Sequence, residues 1–446
     1  MWFLFKPRRC PTIAAAATSS ISKDGDCAAF LPWLRSKAGT CISSVLSLGT
    51  SAFGRSLFAS EPIQEGDCLM QVPYHVQLTQ DKLPQQIRTL LAHGIGDTAK
   101  LAVLLIMEQH LELESRWAPY IKSLPTKDQM HNMMLWDPNE LNIVKNSSIY
   151  DEAIEKKEQA RKEFSALKPV FDHFAHLCGE VNLGDFMYAS ALVSSRAWQT
   201  PRGLSLIPFA DFLNHDGVSG SVLLYDEQKD VCEIVADRNY AVGEQVMLRY
   251  GKYSNATLAL NFGFTLSINR YDQALIRIDM PVKDPLYKYK LDIWQKHSLP
   301  ISEDMYSSSD ATCFVIKEVR SSRRKRMGIP QILRAFFRVF CAMSHEELEE
   351  MVMEAAESDG RLARYPLKNM EREIHAHRCL LLHFDNTIQC HSTAIEQLEI
   401  VDDPASRSMH PFRKEMAKEL LIGELRVLQS AQAWVSNYCE TIQSSE

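Results

Sequence analysis

The spacing of apolar residues changes twice along this chain, and no other feature constrains the fold as tightly. Between about Cys27 and Val76 the text is short and strand-like. GRSLFAS (Gly54 to Ser60) is a glycine turn followed by apolar residues, and IQEGDCLMQVP (Ile63 to Pro73) is a turn at Glu65-Gly66-Asp67 followed by an alternating strand that Pro73 stops. From about Asp81 to Ala191 apolar residues recur three and four apart, as in LAVLLIMEQHLELE and DEAIEKKEQARKEFSALKPVFDHFAHLC, which predicts helices. Strand text then returns in SVLLYDEQ, DVCEIVADRNY and GEQVMLRYG, with a turn at Gly243-Glu244. From Pro281 onward almost every segment reads helical, and the serine run between Glu303 and Asp310 reads as a loop. The fold class is therefore α+β: a β-rich unit split by a helical insert (about 80–190), followed by a mostly α-helical domain.

Several function classes are excluded or disfavoured. No apolar stretch is long enough to span a bilayer. A formal net charge of −7 argues against wholesale nucleic-acid binding. SSRRKRMG (Ser321 to Gly328) is a local basic cluster, read here as a solvated loop before a helix. The eleven cysteines are scattered and hold no CxxC pair, so spacing offers no zinc cluster and suits reduced thiols. His173, His176 and Cys178 lie close together in DHFAHLC but lack a second ligand pair, and no metal site is expected. G-x-S-x-G, GxGxxG and a Walker loop are all absent. Residues 1–26 differ from the rest. Met1 to Ser22 is basic, rich in Ser, Thr and Ala, and free of acidic groups, the composition of an organelle transit peptide. A chloroplast is expected before a mitochondrion, and cytosol or nucleus if these residues are instead a tail.

PFADFLNHD (Pro208 to Asp216) poses a chemical question. An apolar run that belongs in a core carries Asp211, Asn214, His215 and Asp216, and buried polar groups must find partners. A small molecule is the expected partner. Other segments could line the same site. Gly54 offers a backbone open to a ligand, Arg196 in SSRAWQ a guanidinium for a carboxylate beside the aromatic Trp198, and Tyr250 a hydroxyl at a strand end.

The order GRSLFA, SRAW, LIPFADFLNHD and ADRNYAVGEQVMLRYGKYSNATLALNFGF resembles the SET-domain methyltransferases, in the branch of the Rubisco large-subunit lysine and actin-histidine methyltransferases. SRWAPYIKSLP (Ser115 to Pro125) is similar to that branch's helical insert, and GIPQ with DGRLARYPL to its C-terminal domain. The resemblance implies a SET domain over 27–270 with a knot-like core, then a helical substrate-binding domain over 271–446 that docks a protein substrate, in a chain expected to be a monomer. It implies S-adenosylmethionine as cofactor and no zinc. Carried over, Phe53, Gly54, Arg55, Arg196, Asn214 and His215 would bind the cofactor. Trp198, Asp211, Tyr250 and Phe262 would face the target side chain, with Tyr250 catalytic.

The implied reaction is in-line attack of a neutral lysine amine on a sulfonium methyl. An ordinary lysine is neutral about once in several thousand molecules at pH 7, a cost of roughly 4–5 kcal/mol. A nearby cation and an apolar channel both lower that cost. Two departures stand out. Ser56 occupies a position where the family's turn has a second glycine, which raises the question of backbone strain. Phe262 replaces a second tyrosine in the segment after Tyr250-Gly251. These departures favour one alternative, a SET-fold scaffold of weak or no activity; a protein-histidine methyltransferase is the other, as a subcase of the enzyme reading.

Overall fold

The computed structural model describes residues 29–444 except 40–41, 44, 92–93, 298–304, 309–310, 320–328 and 401–408. The N-terminal segment expected to be a transit peptide and the basic cluster Ser321 to Gly328 fall outside the described residues. Two compact units form. The first is drawn from the chain up to Leu83, Leu111–Leu124 and Ala197–Tyr250; the second from Pro84–His110, Pro125–Arg196 and Gly251 onward.

The first unit opens with a helix, Phe30–Ala38, where the sequence reads as strand. Pro32 sits in its first turn, the one place a helix tolerates proline, and Phe30, Leu34 and Ala38 are buried at four-residue spacing. Nine residues give that period little room to declare itself. Ten short strands follow among the described residues: β1 (Leu46–Ser51), β2 (Gly54–Ala59), β3 (Cys68–Pro73), β4 (Leu78–Thr79), β5 (Ala197–Thr200), β6 (Gly203–Leu206), β7 (Asn214–His215), β8 (Leu223–Asp226), β9 (Val231–Val235) and β10 (Gln245–Leu248). They make three sheets, ordered β1-β2-β10-β7, β3-β9-β8 and β4-β6-β5. The β1–β2 hairpin closes on the pair Ser51 and Gly54, and Gly54 takes φ 85°, a conformation glycine adopts without a steric cost. The core is aromatic. Phe30 packs edge-on to Phe212 with ring centroids 5.2 Å apart, and lies 6.3 and 6.4 Å from Tyr120 and Phe209.

The second unit is mainly helical, with Asp97–His110, Ile149–His173, Leu183–Arg196, Gln331–Cys341, His345–Ala356, Met370–Glu399 and Pro411–Gln443 as its principal helices. The starts are chemically marked. The Ser344 hydroxyl accepts from the Glu347 N–H, and the Asn369 side chain from the Arg372 N–H. The region is not helical throughout. β11 (Gln273–Ile278), β12 (Met305–Ser308) and β13 (Ala311–Lys317) form an antiparallel sheet in the order β11-β13-β12. The serine run thus contains strand β12 rather than only a loop. ATCFVIK hides its period because β13 is central: Cys313, Phe314, Val315 and Ile316 are all buried, so both faces read apolar. Trp294, Phe314 and Phe336 meet in edge contacts of 5.2–6.0 Å over this sheet.

Candidate active site

The site grows from the end of PFADFLNHD. β7 lies parallel to β10, with Asn214 opposite Met247 and His215 opposite Leu248. β10 also pairs with β2, placing Gln245 opposite Phe58 and Val246 opposite Leu57. One central strand therefore carries Asn214 and His215 to the glycine turn of β1–β2.

There Asn214 Nδ2 donates to Ser56 Oγ at 2.8 Å and to the Arg55 carbonyl at 3.2 Å. Ser56 Oγ donates to the Gly54 carbonyl at 3.0 Å, so it accepts from both Asn214 and Ser51 Oγ, the latter at 2.8 Å. Ser51 Oγ in turn accepts from the Phe53 N–H at 3.0 Å. Ser56 is fully buried and its φ is negative, so the question of strain at this serine resolves in its favour. Its hydroxyl holds the Asn214 amide.

His215 is buried, and its Nδ1 accepts from the Tyr250 N–H at 3.1 Å. Burial lowers its pKa from the ordinary histidine value, against the opposing charge of Asp216. A ring that accepts at Nδ1 and resists protonation carries its proton on Nε2. The Tyr250 hydroxyl donates to the Leu213 carbonyl at 2.7 Å. The Tyr250 ring lies 5.1 Å from His215 and stands edge-on to Trp198 at 5.5 Å. Trp198, on β5 opposite Ser205, buries an indole Nε1 that finds no acceptor among the described residues.

The strained residue of this region is Phe209, at φ 77° and fully buried. That conformation costs a non-glycine residue about 1–3 kcal/mol. It turns the chain into the short 3₁₀ turn Ala210–Phe212, so that Phe209 and Phe212 both enter the core before the chain runs into β7. Asp211 points elsewhere, accepting from the Tyr120 hydroxyl at 2.8 Å. Asp211, Asn214 and His215 thus all have protein partners. These contacts orient the three side chains: Tyr120 holds Asp211, Ser56 holds Asn214 and the Tyr250 N–H holds His215.

Gly54 and Arg55 form the turn, and the Arg55 guanidinium donates to the Ser123 carbonyl. The Phe53 side chain is 64% exposed at the turn's tip. Arg196 and Phe262 belong to the second unit. Arg196 is the half-buried last residue of the helix Leu183–Arg196, and Phe262 follows the helix Asn255–Asn261. The Phe262 ring stacks on Tyr253 with centroids 5.6 Å apart. Sequence reasoning misses Tyr253. The signal that could find it is Gly251, where a Cβ would fall 2.4 Å from the Tyr253 ring.

Two family models match the chain: the SET domain over residues 54–251 and the Rubisco LSMT substrate-binding domain over 281–428. The chain thus carries a SET domain followed by a Rubisco LSMT substrate-binding domain, the pairing that its sequence resembles. It is similar to the chloroplastic fructose-bisphosphate aldolase-lysine N-methyltransferase of Arabidopsis thaliana, 26% identical over 313 residues, 67% of this chain and 64% of that protein. It is also similar to the actin-histidine N-methyltransferase of Homo sapiens, 24% identical over 440 residues, 92% of this chain and 69% of that one. The chain thus spans about two thirds of the length of these curated relatives. Rubisco LSMT bound to AdoMet shares the fold, with a TM-score of 0.73 at 20% identity, covering 94% of this chain and 93% of that one. Rubisco LSMT bound to sinefungin and monomethyllysine aligns equally well, with a TM-score of 0.73 at 21% identity and the same coverage of both chains.

Proposed function

We propose that this protein is an S-adenosylmethionine-dependent protein-lysine N-methyltransferase. The observation that carries the reading is the junction of β7 and β10, where Asn214, His215, Tyr250 and Trp198 converge beside the glycine turn. A buried indole N–H without an acceptor is costly, and it fits a site that a ligand completes. Gly54 is open on its side-chain face, with nothing within 4 Å of where a Cβ would lie, which fits the close approach of the same ligand.

When bound, S-adenosylmethionine supplies an electrophilic methyl on a positive sulfur. The chain's residues do the rest. Asn214, held by Ser56, and His215, neutral with a donor at Nε2, bind the cofactor along with the Phe53-Gly54-Arg55 turn and Arg196. Tyr250 donates to the Leu213 carbonyl, so its oxygen faces the site as an acceptor. Such an oxygen complements positive charge at the reacting centre and orients an attacking amine. Trp198 walls the acceptor side. Asp211, which accepts from Tyr120, and Phe262, which stacks on Tyr253, are the other residues expected to serve the target side chain. No strong base is needed, because the amine proton can leave to water.

The substrate is a protein docked by the helical domain, 271–446, which follows the SET domain, 27–270. The home is an organelle, chloroplast before mitochondrion, supported by the acid-free N-terminus and the chloroplastic relative. The chain acts as a monomer, and no described helix is long and apolar enough to cross a membrane. A histidine acceptor is the second reading, favoured by the likeness to the actin-histidine enzymes over 92% of this chain. Incubation with isotopically labelled cofactor and an organellar extract, followed by mass spectrometry of the labelled protein, tests both. Methyl-lysine supports the first reading and methyl-histidine the second. No transfer, with cofactor binding intact, leaves the scaffold alternative.

A further inference from the structure

Away from the methyl-transfer residues, the second unit brings together three side chains that lie far apart in sequence. Cys341 ends the helix Gln331–Cys341. His375 and Cys379 stand one turn apart on the helix Met370–Glu399, so they share a face. The ligand atoms of all three lie within 4.8 Å of one another, and Cys379 Sγ is 3.9 Å from His375 Nε2. No other such group of histidine, cysteine and carboxylate ligands occurs among the described residues. A pocket of about 190 Å³ opens beside them, lined by Cys341, Met343, Glu371 and His375 among others.

We propose that Cys341, His375 and Cys379 form a zinc site, with the pocket holding a water as fourth ligand. A tetrahedral zinc with sulfur at about 2.3 Å and nitrogen at about 2.0 Å would set its ligand atoms roughly 3.5–3.8 Å apart. The observed triangle contracts to that size by small side-chain rotations. Two thiolates neutralise the dication, and sulfur with imidazole is the donor set that selects zinc over hard, oxygen-seeking cations. The neighbouring cations are engaged elsewhere and do not oppose it. Arg338 pairs with Glu373 at 2.5 Å, and Lys290 pairs with Asp284 at 2.6 Å. The pocket is far larger than the roughly 10–15 Å³ that one water requires. The sequence expectation of no metal site rests on spacing and on the family resemblance. Thirty-three residues separate Cys341 from His375, so no motif announces the triangle. The third ligand also distinguishes the site from a simple thiol pair, and the metal would clip the end of the helix Gln331–Cys341 to the face of Met370–Glu399.

The test uses the full chain, reduced and stripped of metal with a chelator. Zinc alone is titrated against a chromogenic chelator, and bound metal is counted by plasma mass spectrometry. One zinc per chain is expected. Cobalt in its place should give a thiolate charge-transfer band and the visible bands of a tetrahedral site. Cys379→Ser and His375→Ala should each weaken zinc binding by more than about 100-fold, beyond the loss typical of outer-shell partners. Cys390→Ser, an exposed cysteine on the same helix, should leave it unchanged. Circular dichroism confirms that the variants fold, and the wild-type cobalt spectrum stands without them. The proposal is overturned by substoichiometric zinc, by an octahedral cobalt spectrum, by binding that survives both ligand variants, or by a reversible Cys341–Cys379 disulfide in place of metal binding.

Discussion

Replacing Ser56 by alanine isolates the contact that positions Asn214. The hydroxyl is fully buried, so water cannot take its place. Its loss removes the acceptor for Asn214 Nδ2 and for Ser51 Oγ, both at 2.8 Å, while Asn214 retains the Arg55 carbonyl at 3.2 Å. A buried hydrogen bond is worth about 0.5–1.5 kcal/mol net, and a buried group left unsatisfied costs about 1–3 kcal/mol. One of the two donors keeps a partner, so the expected loss is about 1–3 kcal/mol. Part of it is specific to the pair. Urea denaturation of Ser56→Ala, Asn214→Ala and the double variant forms a cycle that should show a coupling of about 1 kcal/mol, above the roughly 0.3–0.5 kcal/mol by which independent sites deviate. Ser56→Ala should also weaken binding of S-adenosylhomocysteine by about 5- to 30-fold, measured by calorimetry, because Asn214 then samples other rotamers. Additive stabilities together with unchanged affinity would refute the idea that Ser56 holds Asn214 for the cofactor.

Other expectations can be checked alongside. Trp198→Phe removes the unaccepted indole N–H but keeps an aromatic edge for Tyr250. Its stability should match the wild type within about 1 kcal/mol while cofactor affinity or kcat falls, and a large loss of stability with full activity would contradict this. Phe314→Ala should cost about 3–5 kcal/mol in chemical denaturation, since the ring is fully buried among Trp294 and Phe336. Stability should fall in acid before the carboxylates titrate. Burial lowers the pKa of His377 to about 4, and burial with the charges of His410 and Arg413 does the same for His131. Both are neutral at pH 7 in either state, and as pH falls below 6.5 the unfolded chain binds protons first. Stability present above pH 6.5 is therefore lost as pH falls towards 4, by up to about 3 kcal/mol for the deeply buried His377. His377→Gln should flatten that part of a thermal-melt profile, and an unchanged profile would count against it.

Much of the architecture is legible in the sequence because period and turn chemistry agree. Gly54, Gly66 and Gly243 all take positive φ where the sequence places turns, and SVLLYDEQ, DVCEIVADRNY and GEQVMLRYG contain β8, β9 and β10. Legibility fails where burial erases the period. β13 is apolar on both faces, and Phe30–Ala38 is too short to show its stripe. The residues of the site are readable as types in order, but their partners are not. That Ser56 holds Asn214 and the Tyr250 N–H holds His215 depends on strand register set by β10, and that Tyr120 holds Asp211 on how the helix Ala118–Ser123 meets the turn Ala210–Phe212, over separations of 35 to 158 residues. The positive φ of Phe209 has no local signal either, since nothing about phenylalanine favours it. Tyr253 is within reach, through the glycine that makes room for its ring.

The central claim is methyl transfer assisted by Tyr250, and the most direct measurement compares wild type with Tyr250→Phe. Single-turnover transfer from labelled S-adenosylmethionine to an organellar protein extract would be followed beside cofactor binding by calorimetry. The account predicts a labelled protein band with the wild type. In the variant, transfer should fall by about 10²- to 10³-fold, the typical cost of removing one such polar group, while cofactor affinity changes by less than about tenfold. Transfer at the wild-type rate in Tyr250→Phe would contradict the role given to the hydroxyl. Cofactor binding without transfer to any extract would contradict the enzyme itself.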